Sequence, residues 1–288
     1  MSSVTVLATG PLATVQDLGR GGYAHLGVPR SGAADRESLR LANRLVGNPE
    51  DLAAVEITHG GFAMRADGDL TVAATGAQAG LVVGDRPTGP NATVVVRDGQ
   101  HLRVAAPTRG CRVYLAVRGG FDVEAALGSR STDTLSGLGP ARLAVGDRLA
   151  VGAAAGEWPA TQWAPRPGPD GLTVTLTATV GPRADRLADP EALFTGTWTV
   201  NPASNRVGVR LDRLDGPALE HLPGLPELRS EGIAHGSVQV PPSGQPVLFG
   251  PDHPVTGGYP VAAVLTAESL DRAGQLTPGD VVHLRLVD

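Results

Sequence analysis

The sequence contains no lysine: all 24 basic residues among its 288 are arginine. Without an ε-amine the chain can form no Schiff base, carries no phosphate loop of the G-x-x-x-x-G-K type and offers no attachment point for biotin or a lipoyl group. Any anion it handles falls to arginine forks, backbone N–H groups or helix N-termini. Cysteine occurs once, as Cys111, which rules out an internal disulfide. Its place in the strand-like run CRVYLAV reads as a buried, inert thiol. Excess positive charge is absent too, since 24 basic residues face 29 acidic ones for a net charge of −5. Such a chain has no basic surface with which to displace counterions, so nucleic acid is not an expected partner. No stretch approaches the roughly 18 consecutive apolar residues of a membrane-crossing helix, so no membrane is expected either. The opening MSSVTVLATG lacks a basic n-region, and a cytoplasmic location is the expectation.

What the sequence does hold is glycine and proline, 39 and 24 residues, at a level typical of a folded, turn-rich protein. Short runs rich in Val, Leu, Ala and Thr recur between Gly, Asp and Pro signals: VTVLA from Val4, LTVAAT from Leu70, TVVVR from Thr93, RVYLAV from Arg112 and LTVTLTATV from Leu172. These read as strands separated by turns. The clearest helix is ADRESLRLANRLVGNP, where Leu41, Ala42, Leu45 and Val46 share a face and Gly47-Asn48-Pro49 supplies a stop. Shorter helices are expected over EDLAA after Asn48-Pro49, over VEAAL capped by Asp122, over EALF opened by Asp189-Pro190, and over AESLDRA capped by Thr266. The fold class is mainly β with short helices.

The length fits one large or two medium domains, and a break in composition favours two. Around AAAGEWPATQWAPRPGPDG the periodicities of strand and helix both vanish, which predicts a Pro/Gly linker over residues 156–171 between a β-rich subdomain at 1–155 and another at 172–288. Each half closes alike, with ARLAVGDRLAV in the first and GQLTPGDVVHLRLV in the second; a hairpin signal and an internal duplication both account for this.

Polar residues crowd four connections. TVQDLGRGGYAHLGVPRSGAAD carries Gln16, Asp17, Arg20, Ser31 and Asp35. It reads as a long loop capped into the helix, or as a glycine-spaced backbone that lets a ligand approach while Arg20 grips its carboxylate or phosphate. NPASNRVGVRL carries Asn205, Arg206 and Arg210; an Asx turn explains Asn205, while two arginines without a neighbouring acid suggest an anion site. RSEGIAHGSVQVPPSGQPV presents His235 among polar residues, yet no pair among the seven histidines has a metal-ligand spacing, so no metal is predicted. GPDHPVTGGYP combines turn residues with Asp252, His253, Thr256, Gly257, Gly258 and Tyr259, either a tight turn or the wall of a site.

Taken in order, TVQDLGRGGYAHLGVPRSGAADRESLRLANRLVGN, YLAVRGGFDVEAALGSRSTDT, SNRVGVRL, SEGIAHGSVQVPPSGQPVLF and DHPVTGGYPVAAVLTAESLDRAGQLTPGD resemble the biotin-dependent carboxyltransferase-like family. That family includes the C-type subunit of bacterial 5-oxoprolinase, allophanate hydrolase subunit 2 and part of the carboxyltransferase region of urea carboxylase. The resemblance runs from about Thr14 to Asp280. It implies two linked β-rich subdomains of cyclophilin-like barrel type and a small amide or lactam substrate. As partners it implies a companion B-type subunit similar to allophanate hydrolase subunit 1 and, in some assemblies, an A-type subunit. It implies ATP used by the assembled complex, with biotin only on another chain. The activities it implies are ATP-dependent opening of 5-oxoproline to glutamate, carboxyl transfer to urea or a related amide, or a regulatory role as antagonist of a kinase inhibitor. A resonance-stabilised N–C=O needs its oxygen polarised or its nitrogen deprotonated. Carried onto these positions, the resemblance gives Arg206, Asn205 and Arg210 as anion and carbonyl holders and Thr256, Gly257, Gly258 and Tyr259 as a donor wall. Asp252, His253 and Asp17 become candidate proton acceptors, with Gln16, Arg20, Ser31 and Asp35 as further contacts. Relatives often carry Gln-Thr where this chain has His253-Pro254-Val255-Thr256, a local departure at His253.

Overall fold

The computed structural model describes residues 2–154, 156–165 and 173–287. The chain divides into two compact units, one of Met1–Arg20 with Ser31–Pro167 and one of Gly21–Arg30 with Gly168–Asp288. Strands dominate both, and the described residues include α-helices only at Arg36–Leu45, Ala192–Thr195 and Ala267–Ala273. None is long and apolar enough to cross a membrane.

In the first unit, one sheet orders the strands Phe121–Asp122, Arg148–Val151, Ser3–Thr9, Phe62–Asp67, His101–Val104, Leu81–Val83 and Arg86–Thr88. A second orders Leu12–Gln16, Ala54–Thr58, Arg112–Val117, Leu70–Gly76 and Thr93–Val96. Val4, Val6 and Met64 from the first sheet meet Val15, Ile57, Val113 and Leu115 from the second in one apolar core. Arg112–Val117 is buried along its whole length because it has a core on each face. Val113, Leu115 and Val117 point to the inter-sheet core, while Tyr114 and Ala116 meet the helix Arg36–Leu45. Small residues at Ala54, Ala73 and Ala116 let that helix lie close, with Leu39, Ala42 and Leu45 buried against them.

The second unit is a closed barrel of seven strands, Thr173–Val180, Val261–Leu265, Ser237–Gln239, Val247–Phe249, Gly208–Asp215, Thr197–Val200 and Val281–Leu286. Its seam is a parallel pairing from Thr173↔Val281 to Ala178↔Leu286. Alternation in Thr173–Val180 sends Leu176 and Ala178 inward. Thr177 faces out, and its hydroxyl meets Thr266 Oγ1 at 2.8 Å and Ser269 Oγ at 2.9 Å at the start of the helix Ala267–Ala273. The expected Thr266 cap is formed.

Two short helices expected from sequence are absent. Asn48 does not start one over EDLAA: its amide donates to Asn43 Oδ1 at 3.0 Å and Val117 O at 2.8 Å, and its oxygen accepts from Gly119 N at 2.9 Å. Those bonds use the group a cap would need, and the chain turns at once into the strand Ala54–Thr58. Asp122 belongs to a strand, paired with Ala150, and no helix follows it. Instead Ala126 and Ser129 exchange backbone hydrogen bonds around Leu127 and Gly128, both at positive φ (50° and 78°), a tight primed turn. Of the expected linker, residues 166–171 lie outside the described residues. Trp163 bridges Ala92, and Trp158 lies under the Arg118 guanidinium 4.1 Å away, so the preceding stretch packs on the first unit.

Candidate functional site

Most of the sequence-marked residues of the first unit gather in one cradle, and those of the second take several separate places. In the first, Asp17 is the hub. Its Oδ1 accepts from Gly19 N at 2.7 Å, Ser129 Oγ at 2.7 Å and Ser131 Oγ at 2.5 Å, and its Oδ2 accepts from Arg130 N at 2.5 Å. A carboxylate saturated in this way, and buried, acts as a fixed anchor for the segment after the Leu127 turn. Arg20, also buried, reinforces it by donating to the carbonyl of Ser131 and, at 3.4 Å, to that of Ala126. Gln16 Nε2 and Ser31 Oγ both donate to Thr132 O, at 2.9 and 3.2 Å. Gln16, Asp17, Arg20 and Ser31 thus converge on the backbone of residues 126–132. Their geometry positions a loop.

Asp35 stands apart from that cradle as the N-cap of Arg36–Leu45, accepting from Ser38 N at 2.9 Å and Ser38 Oγ at 2.5 Å. Its own N–H donates to Tyr114 Oη at 2.8 Å, and that phenol donates to Glu56 Oε2 at 2.8 Å. Glu56 also accepts from Ala34 N at 3.1 Å and faces Arg112 Nε at 3.5 Å. Burial, followed by the Glu56 and Asp35 charges, pushes the Tyr114 phenol well above its usual range.

In the second unit, Arg206 and Asp252 join in a buried fork, Nε to Oδ2 at 2.8 Å and Nη2 to Oδ1 at 3.0 Å. The acid missing around Arg206 in sequence is therefore supplied from the GPDHP connection. This gives Asp252 the task of holding Arg206. Arg210 takes a separate place, half-buried on its strand and donating to Ala203 O at 2.9 Å. Asn205 is exposed and closes an Asx turn, accepting from Val207 N at 2.9 Å. His253 is buried, with Nδ1 2.8 Å from Pro254 O, and its ring stacks on His235 with centroids 6.0 Å apart. Thr256 and Gly257 pair with Gly232 and Glu231 in a two-stranded ladder, braced by the Arg183 to Glu231 ion pair. That pair, chiefly through the Arg183 hydrogen bond, lowers the Glu231 carboxyl below its usual range. Gly258 follows, and the exposed Tyr259 accepts through its carbonyl from Gln239 Nε2 at 3.1 Å. A side chain at Gly257 would stand 2.7 Å from Ile233 Cδ1 and 2.8 Å from Gln239 Nε2, so glycine there keeps the ladder close. Thr256 and Tyr259 are exposed, whereas Arg206, Asp252 and His253 are buried. Among the described residues no three His, Cys, Asp or Glu side chains gather in a way that could hold a metal ion.

Residue-by-residue reading of the sequence gave no role to Ser129, Ser131, Thr132, Glu56 or Tyr114. The first three lie in GSRSTDT, where closely spaced hydroxyls are the available signal; nothing in the pattern of AVEIT or RVYLAV marks Glu56 or Tyr114 beyond a polar residue inside an apolar run.

Residues 26–286 match the family model described as carboxyltransferase domain, subdomain A and B. The chain is 34% identical to the C-type subunit of 5-oxoprolinase from Escherichia coli strain K12, over 96% of this chain and 89% of that protein. It is also 34% identical to the urea amidolyase of Lachancea kluyveri, over 96% of this chain but 16% of that much longer protein. Among solved structures, the urea amidolyase of K. lactis superposes with a TM-score of 0.90 at 32% identity, covering 99% of this chain and 19% of that one.

Proposed function

Since the chain belongs to the carboxyltransferase-domain family, subdomains A and B, we propose that it is the C-type subunit of a multi-subunit, ATP-dependent 5-oxoprolinase that opens the lactam of 5-oxoproline to glutamate. One observation carries this reading: the E. coli 5-oxoprolinase component is matched over nearly all of both chains, whereas the urea amidolyase is matched over a small share of its length. The absence of lysine supports a component role, because a phosphate loop of the lysine type, and a biotin attachment lysine if one is used, lie outside this sequence. Companion subunits of the A and B types would supply ATP handling, in the cytoplasm. On this chain, Thr256 and Tyr259 would donate to the substrate amide, and His253 is the candidate proton acceptor.

Co-expression with companion subunits is expected to give glutamate from 5-oxoproline only when ATP is present. No glutamate from the complete assembly overturns the proposal. The family description and the urea amidolyase relatives favour a second reading, a carboxyltransferase component acting on urea or a related amide. That reading requires turnover to depend on a biotinylated carrier protein.

A further inference from the structure

Leu127 breaks a local rule of turn chemistry. It holds the first central position of the two-residue turn between Ala126 and Ser129, at φ of 50°, with Gly128 after it at 78°. In the left-handed region a Cβ crowds the following carbonyl, a cost that Gly avoids and that Asn or Asp offsets with local hydrogen bonds, so turns of this type favour those residues. Of the four non-glycine residues at positive φ among the described residues, the others are Ser31, His59 and Asn91; Leu127 alone is aliphatic. Burial does not offset the strain, for the leucine is 44% exposed and joins none of the apolar cores. A side chain added at Gly128 would meet no atom beyond its chain neighbours within 4 Å, so the tip of the turn stands clear.

Both stems of the turn are nonetheless held fast. Arg20 donates to the carbonyls of Ala126 and Ser131, and Asp17 accepts from Ser129 Oγ, Ser131 Oγ and Arg130 N. A strained backbone persists only where its surroundings over-determine it, and here a buried carboxylate and a buried guanidinium do so. They keep an exposed leucine fixed in advance, the condition under which an apolar anchor binds with least loss of freedom. A protruding side chain cannot enclose a small molecule, and one leucine on a chain of net charge −5 is no membrane anchor. We propose that Leu127 is an anchor for a protein partner and inserts into an apolar pocket on it. Resting on the functional reading above, that partner is the companion B-type subunit, which the resemblance implies in every assembly. Asp17 and Arg20 are then positioning residues that act through the turn.

The test pairs thermal unfolding of the full chain with calorimetric titration against the purified B-type subunit. Leu127→Asn suits the turn and removes the anchor, so it is expected to raise the melting temperature by about 1–3 °C. The same variant is expected to bind the B-type subunit about tenfold or more weakly, as loss of one buried leucine side chain predicts. Leu127→Met keeps an apolar side chain and is expected to retain wild-type affinity. A lower melting temperature in Leu127→Asn would show that the leucine stabilises its own chain, and unchanged affinity would show that the B-type subunit does not use it; either overturns the proposal, as does loss of a homodimer in its place. Turnover separates this from the functional reading: an active assembly indifferent to Leu127→Asn sinks the anchor alone, whereas an assembly that weakens in Leu127→Asn but makes no glutamate as wild type sinks the oxoprolinase alone.

Discussion

Arg206 and Asp252 lie 46 residues apart in sequence and meet as a two-bond fork with neither side chain in contact with water. Breaking one partner leaves a buried charge uncompensated, so Arg206→Ala or Asp252→Ala is expected to cost about 3–5 kcal/mol of stability in urea unfolding. Replacing both with apolar residues of similar volume, Arg206→Met with Asp252→Leu, is expected to recover most of that loss. Additive losses in the double variant would show that the two residues do not act as a pair.

Asp17 gives a local counterpart. Asp17→Asn weakens the charge-assisted bonds to Ser129, Ser131 and the Arg130 N–H, and is expected to destabilise by about 1–3 kcal/mol. Because those bonds hold one loop, the effect is expected first as faster tryptic cleavage after Arg130 under native conditions. Unchanged cleavage there would mean the loop is held by other contacts.

Gly139 is the position at which this cradle tolerates no side chain. It adopts φ of 89°, and a Cβ would stand 2.1 Å from Ser131 O and 2.9 Å from Arg20 Nη2. Gly139→Ala is expected to destabilise by roughly 1–3 kcal/mol at this strained backbone, more than the reduced chain flexibility offsets, and so to lower the melting temperature. A melting temperature equal to or above wild type would contradict the close approach.

Tyr114 sets an alkaline limit. With its phenol raised above the usual value by burial, the unfolded chain releases that proton first as pH climbs past about 10. Stability tied to the neutral phenol is thus complete below that pH and falls as pH rises toward the folded-state value. Tyr114→Phe is expected to be less stable by about 1–3 kcal/mol at pH 8, having lost the bonds to Glu56 and Asp35, and to show a shallower decline above pH 10. Parallel pH profiles for the two proteins would refute the assignment.

The longest helix, the strand runs and the short helix capped by Thr266 could be read from local pattern because each is specified by neighbours: a shared apolar face of Leu41, Ala42, Leu45 and Val46 ended by Gly47-Asn48-Pro49, apolar residues alternating with Thr in LTVTLTATV, and a hydroxyl cap at Thr266. The two absent helices show where that logic stops. Asn48 is a good cap by type, but its amide is claimed by Asn43, Val117 and Gly119, partners that exist only once strands and helix have packed. The same holds for candidate site residues. Asn205 as an Asx turn is local and legible, while the task of Arg206 depends on an acid brought from a distant connection.

By itself the sequence determined what this chain can never supply, a lysine amine or a disulfide, because residue types are fixed before folding. It also determined a mainly β chain, since period-two runs between turn residues need only near neighbours to declare themselves. Tertiary structure decided the rest. It closed one unit into a barrel through a parallel seam and spent Asp17 and Asp252 on holding other groups. Whether a polar side chain is occupied or available depends on what folding places within about 3 Å of it, and no spacing along the chain encodes that distance.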